Sequence, residues 1–250
     1  MSWAPTALLL TAVLSGCASA PGGRPDAAAP PSASGGASPR AWVTLGPLTE
    51  DQLWAARLVA SDLPGGTVVE PPGPAARTQS ATPDAETAAG SPECGSVLAA
   101  VTEQPRARWG AVYVVGNNTL GNRTEVDLGS FDPGRVRARF DALSAAVHGG
   151  CPRLRIPAGS GYRTLTVREV PFDRLDVPAV CFALDDPSGG FASTGGLTTV
   201  VLYAALGDNR VRFATADDTG KAPALRADIV QAQLRKLAAQ ASPGTPSTTG

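Results

Sequence analysis

The second half of the chain carries four segments of strand composition, Tyr162 to Val170, Ala179 to Leu184, Thr198 to Leu206 and Arg210 to Ala214, separated by turn signals. Trp109 to Val115 and Arg123 to Leu128 read the same way, around a turn with Asn117-Asn118 and Gly121-Asn122. A short strand, Thr67 to Glu70, is expected after Pro64-Gly65-Gly66. Helices interrupt this set. Val136, Phe140, Leu143 and Val147 recur at i, i+4, i+7 and i+11, one apolar stripe behind a cap expected from Asp132-Pro133. His148 and Gly149-Gly150 end that helix. Leu48-Thr49-Glu50-Asp51-Gln52-Leu53 combines a capping box with an apolar staple and predicts a helix to about Ser61. Cys94 to about Val101 and Ala224 to Ala241 complete the helices. Helices and antiparallel strands in this order predict an α+β fold, an antiparallel sheet with helices packed mainly on one face.

Residues 1–16 read as a signal peptide. The apolar run from Ala7 to Leu14 is too short to span a bilayer, which takes about 20 residues. Leu14-Ser15-Gly16-Cys17 looks like a bacterial lipobox, whose cysteine is lipidated and whose chain is cut just before it. Met1 to Thr6 departs from the usual start in having no Lys or Arg. Two or three acyl chains on Cys17 would anchor stably, where one gives marginal binding. Residues 17–41 are then a lipidated cysteine and a disordered tether, too poor in large apolar residues to bury a core. The folded domain is expected over 42–241, with a flexible insertion at 71–93, and 242–250 as a disordered tail. No later stretch is apolar enough for a membrane-spanning helix, so the expected location is the outer face of the cytoplasmic membrane, held by lipid.

Cys94, Cys151 and Cys181 remain, and an exported compartment permits one bridge with one free thiol. Loop entropy does not choose the pair: closing 94–151 is worth about 4.2 kcal/mol and closing 151–181 about 3.6 kcal/mol. The net charge of −1 makes no electrostatic case for nucleic acid. Cysteine and histidine spacing fits no zinc site, and no metal or cofactor is expected. His148 is the only histidine, so a Ser-His-Asp arrangement would have to use it. Asp185-Asp186 and Asp217-Asp218 precede turn residues and read as turn chemistry. Arg153 with Arg155, and Arg210 with Arg212, stand at period two. Each pair is either a solvated sheet face or an anion site for lipid headgroups or envelope polymers. Ser188 to Gly196 sets glycines on both sides of Phe191, a hairpin tip or a hinged flap.

The order of these features resembles the extracellular sensor domain of PknH-type receptor kinases, which also occurs alone in actinobacterial lipoproteins. The matching residues are Leu48-Thr49 with Gln52-Leu53, Pro92-Glu93-Cys94, the Asp-initiated helix ending in Cys151, Val180-Cys181-Phe182-Ala183-Leu184, and the closing Ala-rich helix. The resemblance covers about Leu45 to Ala241. It implies a Cys94–Cys151 disulfide. The partner of the third family cysteine would fall near Thr198, where no cysteine stands, which leaves Cys181 as a free thiol. The placing of Cys94 and Cys151 at helix ends, with Cys181 mid-strand, agrees with that pairing. The resemblance further implies a sheet cleft for a small ligand, with Tyr162, Phe182, Phe191 and Tyr203 as lining candidates. Arg210 and Arg212 are added as anion contacts. No kinase segment is present, since the Gly-rich phosphate loop and the catalytic loop are both missing from the sequence. The expected function is therefore a lipid-anchored, non-catalytic sensor that binds a small molecule or an envelope component. The alternatives are a cell-envelope protein–protein scaffold and an esterase-like hydrolase built on His148.

Overall fold

The computed structural model describes residues 44–63, 67–70, 90–115, 120–158, 161–189, 196–219 and 222–240. The expected signal peptide, Cys17, tether, most of the insertion, Phe191 and the C-terminal tail lie outside the described residues. Helix α1 spans Glu50–Ala55, α2 Pro92–Thr102, α3 Arg135–Ala145 and α4 Ala227–Ala239. The strands are β1 (Thr67–Glu70), β2 (Ala107–Val115), β3 (Arg123–Ser130), β4 (Arg153–Ala158), β5 (Gly161–Glu169), β6 (Ala179–Asp186), β7 (Leu197–Leu206) and β8 (Asn209–Asp217). They form one sheet in the order β1-β2-β3-β8-β7-β6-β5-β4, every neighbour antiparallel. The chain is thus an α+β protein with an antiparallel sheet.

The helices divide between the two faces of the sheet, which corrects the expectation of one main helical face. Side chains alternate along a strand, so β7 sends Val200, Leu202, Ala204 and Leu206 one way and Val201 and Tyr203 the other. On the first face, Ile229, Val230, Leu234 and Leu237 of α4 join Leu53 of α1 and Leu175 and Val177 of the β5–β6 connection. On the second face, Val97 and Leu98 of α2 pack with Leu143 of α3 and with Ala146 and Val147 of the turn that follows it. Nearly continuous apolar runs such as Val200 to Leu206 are what a strand buried on both sides requires.

The second layer is cross-linked. Cys94, in the first turn of α2, is bonded to Cys151, just beyond α3, with their Cα atoms 4.9 Å apart. Cys181 is free and buried, and its side chain belongs to the first face, so the sheet separates it from that disulfide.

Two helix ends differ from expectation. Helix α1 has its capping box, with Thr49 and Gln52 exchanging hydrogen bonds at 2.9 and 3.3 Å. It stops at Ala55 instead of near Ser61. The Arg57 guanidinium folds back onto the Trp54 carbonyl at 2.9 Å, and Leu58 turns into the core. Helix α3 takes no side-chain cap from Asp132; its first residue follows Gly134 at φ 79°. The Gly134 N–H donates instead to Asp208 Oδ1 at 2.7 Å, across from the β7–β8 turn. That same turn holds the start of the domain: buried Asn209 accepts from the Leu48 N–H at 3.1 Å and donates to the Gly46 carbonyl at 2.8 Å.

Candidate ligand-binding site

The helical cover of the first face ends before the β4–β5 ribbon. Burial along β5 records this directly: Leu165 and Val167 are buried on the second face, whereas Tyr162, Thr164, Thr166 and Arg168 are exposed on the first. Along β4, Leu154 is buried and Arg153 and Arg155 are exposed. The register continues this open face inward as one cross-strand row, Arg153, Thr166, Asp185, Thr198 and Asp217. Residues directly opposite in a sheet share a face, so five polar side chains stand side by side.

A groove of about 380 Å³ runs over this row, lined by Thr166, Arg168, Asp185, Asp186, Pro187, Leu197 and Thr198. Asp185 organises its floor. Its Oδ2 accepts from Arg168 Nε at 2.9 Å and its Oδ1 from Thr198 Oγ1 at 2.8 Å. Asp186 borders the groove, but its carboxylate points to the opposite face. Its Oδ1 accepts from the Ser188 N–H and hydroxyl at 2.9 and 2.8 Å, and its Oδ2 from Arg163 at 2.7 Å. Burial would raise the Asp186 carboxyl, but the bonds from Ser188 and Arg163 outweigh it and hold the group below its ordinary 3.8. Turn chemistry thus accounts for Asp186, and for Asp217, which accepts from the Thr219 N–H at 2.7 Å. Asp185 is a groove residue. Its signal in the sequence was the alternation Thr164-x-Thr166-x-Arg168 against Leu165 and Val167 on the neighbouring strand.

Of the residues expected to line a cleft, Phe191 lies outside the described residues and the other three do not meet at the groove. Phe182 and Tyr203 lie in the core of the second face under α2 and α3. Burial there pushes the Tyr203 hydroxyl up to about 12. Tyr162 is on the other face and 56% exposed. Arg210 and Arg212 are also withdrawn from any anion site. Arg210, 2% exposed, meets Asp127 Oδ1 at 2.5 Å and the Glu103 carbonyl at 3.5 Å. Arg108 pairs with the other oxygen of Asp127. Arg212 donates to the Val101 carbonyl at 2.6 Å. Helix α2 has no basic residue in its last turn, so these two arginines of β8 satisfy carbonyls at and just beyond its end and oppose its dipole.

His148 sits beside two groups of a hydrolytic constellation. Ser144 Oγ is 3.4 Å from Nδ1, and Glu169 Oε1 is 3.3 Å from Nε2. The Ser144 carbonyl lies 2.6 Å from the same Nδ1. A ring nitrogen that donates to that carbonyl cannot also accept the serine proton. The histidine and glutamate are both half-exposed, and the groove does not include them.

Fold and site together define a class: a disulfide-linked α+β domain with an open polar groove on one sheet face. No family model and no curated protein matches the sequence. Among solved structures the chain is similar to the crystal structure of the extracellular domain of PknH from Mycobacterium tuberculosis. The two share 11% identity, with 78% of this chain and 97% of that one covered, at a TM-score of 0.43.

Proposed function

We propose that the chain is an exported, lipid-anchored, non-catalytic sensor or binding domain, and that its groove takes a small polar ligand or envelope component. The observation that carries this is the groove itself, placed where helical cover stops and floored by the Arg168–Asp185–Thr198 hydrogen bonds. Export is supported by the Cys94–Cys151 bridge, since disulfides persist in oxidising compartments. Lipid attachment at Cys17 is supported by the Leu14-Ser15-Gly16-Cys17 sequence, and the outer face of the cytoplasmic membrane follows from it. Among the described residues, no helix is long and apolar enough to cross a membrane. A binding role without catalysis is supported by the His148 geometry, whose Nδ1 is committed to a backbone carbonyl.

Native mass spectrometry of the protein recovered from its own envelope extract tests the reading. The expected result is a retained small molecule, lost from the Asp185→Asn/Thr198→Val variant. A retained protein in its place, or a small molecule indifferent to those substitutions, overturns it.

A further inference from the structure

We propose that the open β4–β5 face beside the groove binds an anionic carbohydrate, holding its acid group on Arg153 and Arg155 and a ring face on Tyr162. This rests on the groove being the ligand site and names the ligand's chemical class. Arg153 and Arg155 stand two apart on the edge strand β4, both exposed on the same face. Among the described residues neither meets a carboxylate. The Arg155 guanidinium lies 4.3 Å over the Tyr162 ring, which keeps its fork extended beside an aromatic surface that is 56% exposed.

Charge decides the sign of the partner. The chain carries a net charge of −1, yet this corner sets Arg153, Arg155 and Arg168 against Asp185. Asp185 is already bonded to Arg168, so the surplus positive charge belongs to the β4 pair. A guanidinium fork matches a carboxylate through two parallel N–H···O bonds, and this edge offers two such forks.

The neighbours decide the rest of the ligand. Thr164 faces Arg155 and Thr166 faces Arg153 in the register, and both threonines are exposed. The groove continues with the Asp185 carboxylate bonded to the Arg168 guanidinium on one side and the Thr198 hydroxyl on the other, a set of donors and acceptors suited to neighbouring sugar hydroxyls. A simple inorganic anion would use the arginines but neither the tyrosine ring nor the groove. A membrane surface calls for clusters of about 4–8 basic residues, more than this face holds.

Titration calorimetry at low salt with tetragalacturonate, maltotetraose and inorganic phosphate tests the proposal, using wild type, Arg153→Ala/Arg155→Ala, Tyr162→Ala, Tyr162→Phe and Asp185→Asn/Thr198→Val. All of these positions except Thr198 are exposed or half-exposed, and intact folding is checked by circular dichroism. Tetragalacturonate is expected to bind about tenfold more tightly than maltotetraose, and to lose that advantage in the double arginine variant. Tyr162→Ala weakens it about fivefold while Tyr162→Phe retains it, because the ring face is kept. Equal binding of acidic and neutral sugars overturns the proposal. So does acidic-sugar binding indifferent to the arginines or to Tyr162→Ala, or no sugar binding at all. Phosphate binding as tight as tetragalacturonate and unaffected by Tyr162→Ala overturns it in favour of a simple anion site. Maltotetraose binding that needs Asp185 and Thr198 but not the arginines sinks this inference and leaves the groove reading standing. Arginine- and tyrosine-dependent binding that survives the groove substitutions sinks the groove reading instead.

Discussion

Removing the Cys94–Cys151 bridge by the double substitution Cys94→Ala/Cys151→Ala should lower the stability of the whole domain and loosen one layer more than the other. The bridge closes a loop of sequence separation 57. Releasing it returns about 4 kcal/mol of entropy to the unfolded chain. Both sulfurs are buried in the second-face core, so their loss leaves a small cavity worth about 1 kcal/mol more. A total near 5 kcal/mol in a domain of this size lowers Tm by about 10–20 °C. Calorimetry reads that fall, and urea titration shows a larger m-value because the unfolded chain expands. Hydrogen exchange supplies the sharper check. The bond ties the start of α2 to the turn after α3, so amides of α2 and α3 should lose more protection than those of α4, on the opposite face, which lose only what the global fall in stability imposes. A Tm change under about 3 °C, or equal loss of protection in both layers, refutes the reasoning.

Other perturbations follow from the same geometry. Gly207 has φ 58°, and a Cβ there would stand 2.1 Å from the Leu45 carbonyl oxygen, so Gly207→Ala should cost about 3 kcal/mol or more in thermal melts. Gly134, at φ 79° with open space around it, should cost only about 1 kcal/mol on the same change. Burial pushes the Cys181 thiol from its ordinary 9.0 to about 12, so it should resist iodoacetamide at pH 8 until the protein opens. Because that pKa is raised in the folded state, its contribution to stability is full below pH 9 and is lost as pH rises from 9 towards 12; Cys181→Ala should flatten that alkaline limb. Asp186 is lowered in the folded state, so its contribution is present above pH 3.8 and is lost as pH falls below that value, a limb that Asp186→Asn should remove. Arg210→Met strips Asp127 of the buried one of its two cations and should cost about 3 kcal/mol, whereas loss of an exposed ion pair such as Arg106–Asp132 should barely register.

The local elements were readable because their causes are local. The Thr49–Gln52 box, the Val136–Phe140–Leu143–Val147 stripe and the β-branched runs of β7 each depend on residues within a few positions of one another. Helix ends were read less well where the deciding partner is distant in sequence. Asp208 holds the Gly134 N–H from the β7–β8 turn, distant in sequence though adjacent in the sheet, and Lys236 ties the Asp62 carboxylate to α4.

For the site, residue type pointed the wrong way. Aromatic residues were expected to line a cleft, but Phe182 and Tyr203 are core residues, and the arginines of β8 serve Asp127 and the end of α2. The sequence by itself determined the antiparallel α+β class, helices α1 to α4 and, of strands β1 to β8, all except β4, whose range it did not mark out. Only the tertiary structure decided that helices cover both faces, that the sheet stands between Cys181 and the disulfide, and where the cover ends. The physical reason is that a strand's alternation says which residues share a face, while only the packing of distant helices says whether that face meets protein or water.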